Sequence, residues 1–312
     1  MKPLYYLGPQ GTFTHQAAVS AASLFGGMPL VAAPDIRSII NAIESDEAWG
    51  VVAWENNVEG YVVPNLDMLI DAGNVAGFAR IVVDIAFDAF GRAPMTDFDG
   101  ARINAHPHGL AQCKKFIAEH GLITVPSSSN AAACRDLEPG QVALGPSLCG
   151  ALYGLETLAT NVQDYDDAHT EFLVLAPRRE TAELLAQNRK QGIDEFESIV
   201  TFIPLSTGPG VLANLLDVLR DAGLNMTSFI SRPIKGHDGT YSFIATIDAA
   251  PWQPRFRHVL EMIVDHGDWV KTLAVYPRRE RPNPPVDAWM LPEGGVHGAL
   301  NGAEVAGREL LW

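Results

Sequence analysis

Residues 3–25 read PLYYLGPQGTFTHQAAVSAASLF. A short apolar run stops at Gly8-Pro9, a turn bearing Thr12 and Thr14 follows, and the remainder has helix-like composition. A strand that feeds a helix through a tight turn is one unit of an alternating chain, and the sequence downstream repeats it. LVAAP (30–34) precedes IRSIINAIES (36–45), and WGVVAWEN (49–56) precedes VPNLDMLIDAG (63–73). This β-α-β-α-β-α order predicts a parallel or mixed sheet covered by helices. A second set continues it, with ARIVVDIAFDAF (79–90) and ARINAHP (101–107) as strands and GLAQCKKFIAEHG (109–121) as one helix. LITVPS (122–127) is a strand, and TEFLVLAP (170–177) closes this part as another.

The charged segment 177–196, PRRETAELLAQNRKQGIDEF, lacks a convincing apolar stripe and reads as a linker. Beyond it, residues 197–278 spell out βαββαβ, with SIVTFIP, NMTSFISRPI, GTYSFIATIDA and WVKTLAVYPR as strands. GPGVLANLLDVLRDAG and PRFRHVLEMIVDHG are its helices, and the arrangement is the split-βαβ, ferredoxin-like one. Residues 279–312 are rich in Pro, Gly and Asn with little periodicity, which predicts a loosely structured tail.

A chain of 312 residues is long enough for two domains, and 47% hydrophobic with 19% charged is ordinary globular composition. Lys+Arg 22 against Asp+Glu 37 gives a net charge of −15, which leaves no electrostatic footprint for nucleic acid or an anionic membrane surface. Three cysteines (Cys113, Cys134, Cys149) without a CxxC pair read as buried reduced thiols rather than a disulfide framework or zinc site. With no signal-like or 18-residue apolar run, the expected compartment is the cytoplasm.

In alternating folds ligands sit off the carboxyl ends of strands, beside helix N-termini. GPQGTFTH (8–15) can hold an anionic group through N–H groups and its threonine hydroxyls, or be a Gly-Pro turn with a Thr N-cap. ENNVEG (55–60) offers Asn56 and Asn57 amides and a Glu55 carboxyl for acid–base work, or a solvated turn. HPHGLAQC (106–113) has His106 and His108 too close together, and without a third ligand in register, for a metal site; anion binding or a His-Pro turn remain. PSSSNAAA (126–133), with Ser129, is a hydroxyl-rich helix start that capping alone explains. In the C-terminal unit, the glycines of GPGVLANLL (208–216) allow close backbone approach to a ligand, and SRP (231–233) ends a strand.

Taken in order, GPQGTFTHQAA, VVAWENNVEGYV, NAHPHGLAQC, SNAAA, ALYGLETLATNVQD and HTEFLVL resemble the prephenate dehydratases. The βαββαβ unit, with GPGVLANLLDVLRDAGLNMTSFISRP, resembles the regulatory ACT domain of those enzymes. The resemblance implies a catalytic region, 1–176, built like a periplasmic binding protein. Its lobe 1 would hold about 1–78 and 160–176, and its lobe 2 about 79–159, with the substrate between them. It implies conversion of prephenate to phenylpyruvate with loss of carbon dioxide and water, without metal or organic cofactor. The family's essential threonine falls on Thr170, with Thr12 and Asn56 on its first two cleft motifs and His106 and Gln112 on its helix-start motif. Glu55, Asn57, Ser129 and Glu171 complete the candidate substrate contacts. L-phenylalanine is the implied effector, at Gly210, Val211, Leu212, Asn225, Ser231, Arg232 and Pro233. Pairing of such domains implies a homodimer or homotetramer.

The chain departs from the family's pattern at several places. Glu171 stands for its arginine, Ala168 for an asparagine, Asn57 for a serine and Ile230 for a glutamate. A carboxylate facing a substrate carboxylate at about 4 Å would cost on the order of 4 kcal/mol at an effective dielectric of 20. Either another cation compensates, with His169, His15 and Arg37 as candidates, or Glu171 turns away, or the activity has changed. A changed activity would be a non-aromatising prephenate decarboxylase or a non-catalytic amino-acid sensor. No segment supplies the long helices of a chorismate mutase.

Overall fold

β1 (Leu4–Leu7) lies between β2 (Leu30–Ala33) and β3 (Trp49–Asn56) and runs parallel to both. α1 (Phe13–Leu24) and α2 (Ile36–Glu44) make the crossovers. α2 shows why: the Asp35 carboxylate accepts from Ser38 N at 2.7 Å, and Ile36, Ile39, Ile40 and Ile43 form one apolar stripe. β4 (Gly60–Tyr61) folds back on β3, α3 (Val63–Asp71) follows, and β5 (Val75–Asp84) completes the outward path. These come from a computed structural model, which describes residues 2–206, 208–237, 239–278, 285–296 and 303–311.

The chain then crosses to a second sheet. β6 (Asp88–Gly91), β7 (Arg102–Ala105), β8 (Ile123–Pro126), β9 (Val142–Gly145) and β10 (Glu156–Ala159) stand in the order β10-β6-β9-β7-β8. Its helices are α4 (Pro107–Gln112), α5 (Lys114–Glu119), α6 (Asn130–Arg135) and α7 (Leu148–Tyr153). β11 (His169–Pro177) returns to the first sheet, antiparallel between β5 and β3. The crossings thus fall near 85–87 and 160–168, so the first lies later than the sequence boundary at 78/79: β5 runs through it as one ten-residue strand. The expected helix over 109–121 breaks at Cys113, because the Asp164 carboxylate caps a new start by accepting from Lys114 N (3.0 Å) and Lys115 N (3.1 Å).

The segment expected as a linker forms α8 (Arg178–Lys190), which buries Thr181 and Leu185. Two buried residues make too narrow a stripe to read from sequence. After it come β12 (Phe196–Ile203), α9 (Val211–Asp221), β13 (Met226–Pro233), β14 (Tyr241–Ile247), α10 (Pro254–Asp265) and β15 (Trp269–Pro277). Their order β13-β14-β12-β15 is ferredoxin-like. β15 meets β5 in parallel at Ala274 and Gly77, so this unit and the first lobe share a ten-stranded sheet. A Cβ on Gly77 would lie 2.7 Å from the Ala274 Cβ, so the seam needs glycine there.

One face of the shared sheet packs Tyr6, Val51, Phe78, Phe172 and Val174 against α1 and α8. The other packs Val52, Trp54, Leu173, Leu175, Ile199 and Ile244 against α2 and α3. All three cysteines are buried, and none forms a disulfide. Residues 279–312 form a separate unit. Among its described residues are a 3-10 turn at Ala288–Met290 and α11 (Ala303–Leu310), and Gly295 N donates to Glu309 Oε2 at 2.9 Å. The expected loose tail therefore contains regular structure, and its remainder (279–284, 297–302 and 312) lies outside the described residues.

Candidate active site

β3 and β11 pair with one irregularity. Glu171 opposes Glu55, but Phe172 opposes Ala53, so Trp54 is an extra residue in β3. Such a bulge shifts the phase of the side chains beyond it. Upstream, Val51 and Ala53 face α1 while Val52 and Trp54 face α2 and α3. Beyond the bulge Asn56 opposes Thr170, and its Nδ2 donates to Thr170 Oγ1 at 3.0 Å. Asn56 Oδ1 accepts from Val58 N and Glu59 N, both at 2.9 Å, which fixes the amide. Thr170 is buried, and with its oxygen already accepting, its hydroxyl proton is directed elsewhere.

The other first-lobe candidates are structural in part. Asn57 donates to Asp167 O (2.8 Å) and accepts from His169 N (2.8 Å), locking the second crossing beside β3. Thr12 caps α1, accepting from His15 N at 3.1 Å and donating to Pro9 O at 3.1 Å. In the second lobe Ser129 caps α6 through Ala132 N (2.9 Å), and His106 caps α4 while its own N–H donates to Asn130 Oδ1 (2.8 Å). Burial, then His108, push the His106 pKa down. Thr12, Asn56, His106 and Ser129 all sit at or just past the carboxyl ends of β1, β3, β7 and β8. Among the described residues no hydrogen bond joins Thr12, His106 or Ser129 to Thr170.

The lobes touch across the cleft. Gln112 Nε2 donates to Glu59 Oε1 at 2.9 Å, and His108 pairs with the same carboxylate. Buried Gln112 Oε1 makes no hydrogen bond. Tyr153 donates to Gln10 O, and Cys149 Sγ lies 3.2 Å from Gly11 O. Gly11 has a φ of +90°, which favours glycine, and a Cβ there would crowd Cys149 Sγ and the Tyr153 ring at 3.1 Å. Among the described residues no group of three His, Cys, Asp or Glu gathers as a metal site.

Glu171 departs from its expected place among substrate contacts. By strand alternation it faces away from Thr170, onto the side covered by α2 and α3, with Glu55 directly opposite. Glu55 therefore also leaves the Thr170 side; it stands across from Tyr61 of β4, and burial pushes its carboxyl up with Tyr61 opposing. The compensating cation is Arg80, not His15 or Arg37: its Nη1 lies 3.4 Å from Glu171 Oε2 and 3.5 Å from Glu197 Oε1. Tyr276 donates to Glu197 Oε1 at 2.7 Å, and the guanidinium stands 5.1 Å over the Tyr276 ring.

Burial pushes the Glu171 carboxyl up to about 7, with Arg80 opposing and Glu55 and Glu197 adding to the rise. Between about 4.5 and 7 the native state holds a proton that the unfolded chain has released, so this group's stabilisation is lost as pH rises through that window. Glu171→Gln is expected to remove most of that decline, on the order of 3 kcal/mol. Urea unfolding at pH 5, 6, 7 and 8 reads it, and parallel curves for both proteins would contradict it.

In the C-terminal unit Gly210, at φ +89°, precedes α9, which opens with Val211 and Leu212. Val211 lines a 220 Å³ cavity with Asn214, Val218, Met262 and His266. Asn225 Nδ2 donates to Asp248 Oδ2 at 2.7 Å and ties β13 to β14. Ser231 and Pro233 are exposed on edge strand β13, at the same end of the sheet as the start of α9. Arg232 instead reaches α3, with its Nε and Nη2 at 3.2 and 3.1 Å from the two Asp67 oxygens.

Sequence reasoning missed Glu59, Arg80, Glu197 and Tyr276. Only Arg80 left a signal, as the lone charge in the apolar run VAGFARIVV. Two α/β lobes joined by two crossings, with neutral hydrogen-bonding groups at the strand ends, define a periplasmic-binding-protein-like fold. The chain belongs to the prephenate dehydratase family, which it matches over residues 4–180. The prephenate dehydratase of Amycolatopsis methanolica is 33% identical over 265 residues, 83% of this chain and 83% of that protein. The solved prephenate dehydratase of Arthrobacter aurescens, in complex with L-Phe, is 26% identical with a TM-score of 0.76, covering 92% of this chain and 94% of that one. GqqA, a quorum-quenching acylase, shares the fold at 24% identity and a TM-score of 0.76, covering 89% of this chain and 98% of its own.

Proposed function

We propose that the chain converts prephenate to phenylpyruvate, with Thr170 as the group that helps the ring hydroxyl leave. The observation that carries this is the Asn56 Nδ2 to Thr170 Oγ1 hydrogen bond of 3.0 Å at the strand ends facing the second lobe. In the reaction the bond from the ring to its carboxylate carbon breaks, carbon dioxide departs, and the electron pair enters the ring. The C4–O bond then breaks, and the oxygen leaves as water after taking one proton. Asn56 donating to Thr170 leaves the threonine hydroxyl to donate to that oxygen, which stabilises negative charge as it develops. Gln112 and His106, from the second lobe, supply polar groups for the substrate's carboxylates and keto oxygen, with Thr12, Asn57 and Ser129 shaping the strand ends around them. Because Glu171 faces Arg80 rather than Thr170, it places no charge against the substrate, and the motive for a non-aromatising decarboxylase falls away.

We read residues 197–278 as an ACT domain in a cytoplasmic homo-oligomer. The βαββαβ order and exposed edge strand β13 support pairing with a second copy. Gly210, Val211, Leu212, Asn225, Ser231 and Pro233 form the proposed L-phenylalanine site, whereas Arg232 anchors the domain on Asp67. The L-Phe complex of the Arthrobacter relative supports the effector.

The test is phenylpyruvate absorbance from prephenate at neutral pH, with and without L-phenylalanine. Formation well above the spontaneous rate, altered by L-phenylalanine, is expected. Carbon dioxide release without an aromatic product, or no turnover, would overturn the assignment.

A further inference from the structure

Five neighbouring strands of the shared sheet, β12-β15-β5-β11-β3, each place one polar side chain in a row: Glu197, Tyr276, Arg80, Glu171 and Glu55. The first two belong to the C-terminal unit and the last three to the first lobe. Arg80 is 6% exposed and Glu197 and Tyr276 are 1% exposed, so the row is dry where it crosses the seam. Backbone pairing there is thin, with Ala274 opposite Gly77 as the one registered pair between β15 and β5. The side chains therefore carry much of the polar connection. Beyond Arg80 the row passes Glu171, the residue after Thr170 and the one beside the bulge that brings Asn56 to the threonine.

We propose that Arg80 is a positioning residue for Thr170, and that the row Glu197–Tyr276–Arg80–Glu171 couples the C-terminal unit to the polar end of β11. A hydroxyl that must meet a leaving oxygen tolerates about 0.5 Å of misplacement. Adjacent residues on one strand share a peptide bond, so a pull on Glu171 from one face of the sheet sets the attitude of Thr170 on the other. Two carboxylates share one guanidinium, which makes the balance between them sensitive to movement of β12 and β15. The effect on turnover rests on the dehydratase assignment; the mechanical link does not.

Tyr276→Phe and Glu197→Gln test it, because each keeps shape and neither touches the substrate side. Phenylpyruvate formation is expected to show kcat lower by about tenfold with KM within about twofold. The response to L-phenylalanine should shrink in both. The pH profile of kcat should shift in Glu197→Gln, since the groups facing Glu171 are Arg80, Glu55, Glu197 and Tyr276, with Tyr61 behind Glu55 and His169 on its own strand. Arg80→Lys should retain more kcat than Arg80→Met. Hydrogen exchange gives a readout independent of turnover: the amides of Thr170 and Phe172 should lose protection in Glu197→Gln. A row that only stabilises would lower the melting temperature and leave the kcat of folded enzyme and its pH profile unchanged. That result, with β11 exchange as in the parent, would overturn the proposal. If the parent makes no phenylpyruvate, the dehydratase assignment fails and the exchange result alone decides the coupling.

Discussion

Thr170→Val is expected to lower kcat for phenylpyruvate formation by about 10²–10³-fold, the usual cost of removing one donor aimed at developing charge. The variant keeps the shape of the side chain and loses only its hydroxyl. Thr170 is an interior member of β11, with Val83 on one side and Asn56 on the other, so its backbone pairing is unaffected. The loss should fall on kcat rather than KM, because the hydroxyl's donation matters once the C4–O bond lengthens. Leaving Asn56 Nδ2 without its acceptor should cost stability of about 1 kcal/mol, which a urea curve measures separately. Turnover within about threefold of the parent would remove Thr170 from the mechanism.

Arg80→Met should destabilise the chain by about 3–5 kcal/mol at pH 7, the range for breaking a buried ion pair from one side. Both Glu171 and Glu197 would lose the positive charge that holds their carboxyls down against burial. Their native pKa values would rise further while the unfolded values stay, so the native state would hold more protons than the unfolded chain over a wider range. The deficit should therefore be larger at pH 8 than at pH 6. Adding Glu171→Gln to Arg80→Met should recover part of it, and the double-mutant cycle gives the coupling energy. A deficit below about 1 kcal/mol across pH 6–8 would put this triad with ordinary surface pairs.

The alternating architecture was legible because strands such as β1, β2 and β9 are short, apolar and closed by Gly or Pro, and because the βαββαβ order needs no long-range information. The resemblance also singled out Thr170 and Asn56, which a hydrogen bond joins in the structure. What escaped the sequence is non-local. Asp164 restarts a helix fifty positions earlier in the chain, at Lys114 and Lys115. α8 shows no clear stripe because two residues suffice to seat it. Glu171 looked like a charge in the cleft because nothing local announces Arg80 as its partner or Trp54 as an extra residue.

That extra residue separates two kinds of chemistry. Until Ala53, β3 is apolar on both faces and has nothing to offer a ligand. Past Trp54 the strand sorts its polar groups by type: the amide of Asn56 meets the hydroxyl of Thr170 on one side, and the carboxyls of Glu55 and Glu171 meet on the other. The sheet stands between the two sets. Glu55 and Glu171, whose carboxyls burial pushes up, are turned away from the Thr170–Asn56 pair, although they stand on adjacent residues. The threonine thus keeps a neutral hydrogen-bonded partner at every pH where the fold survives.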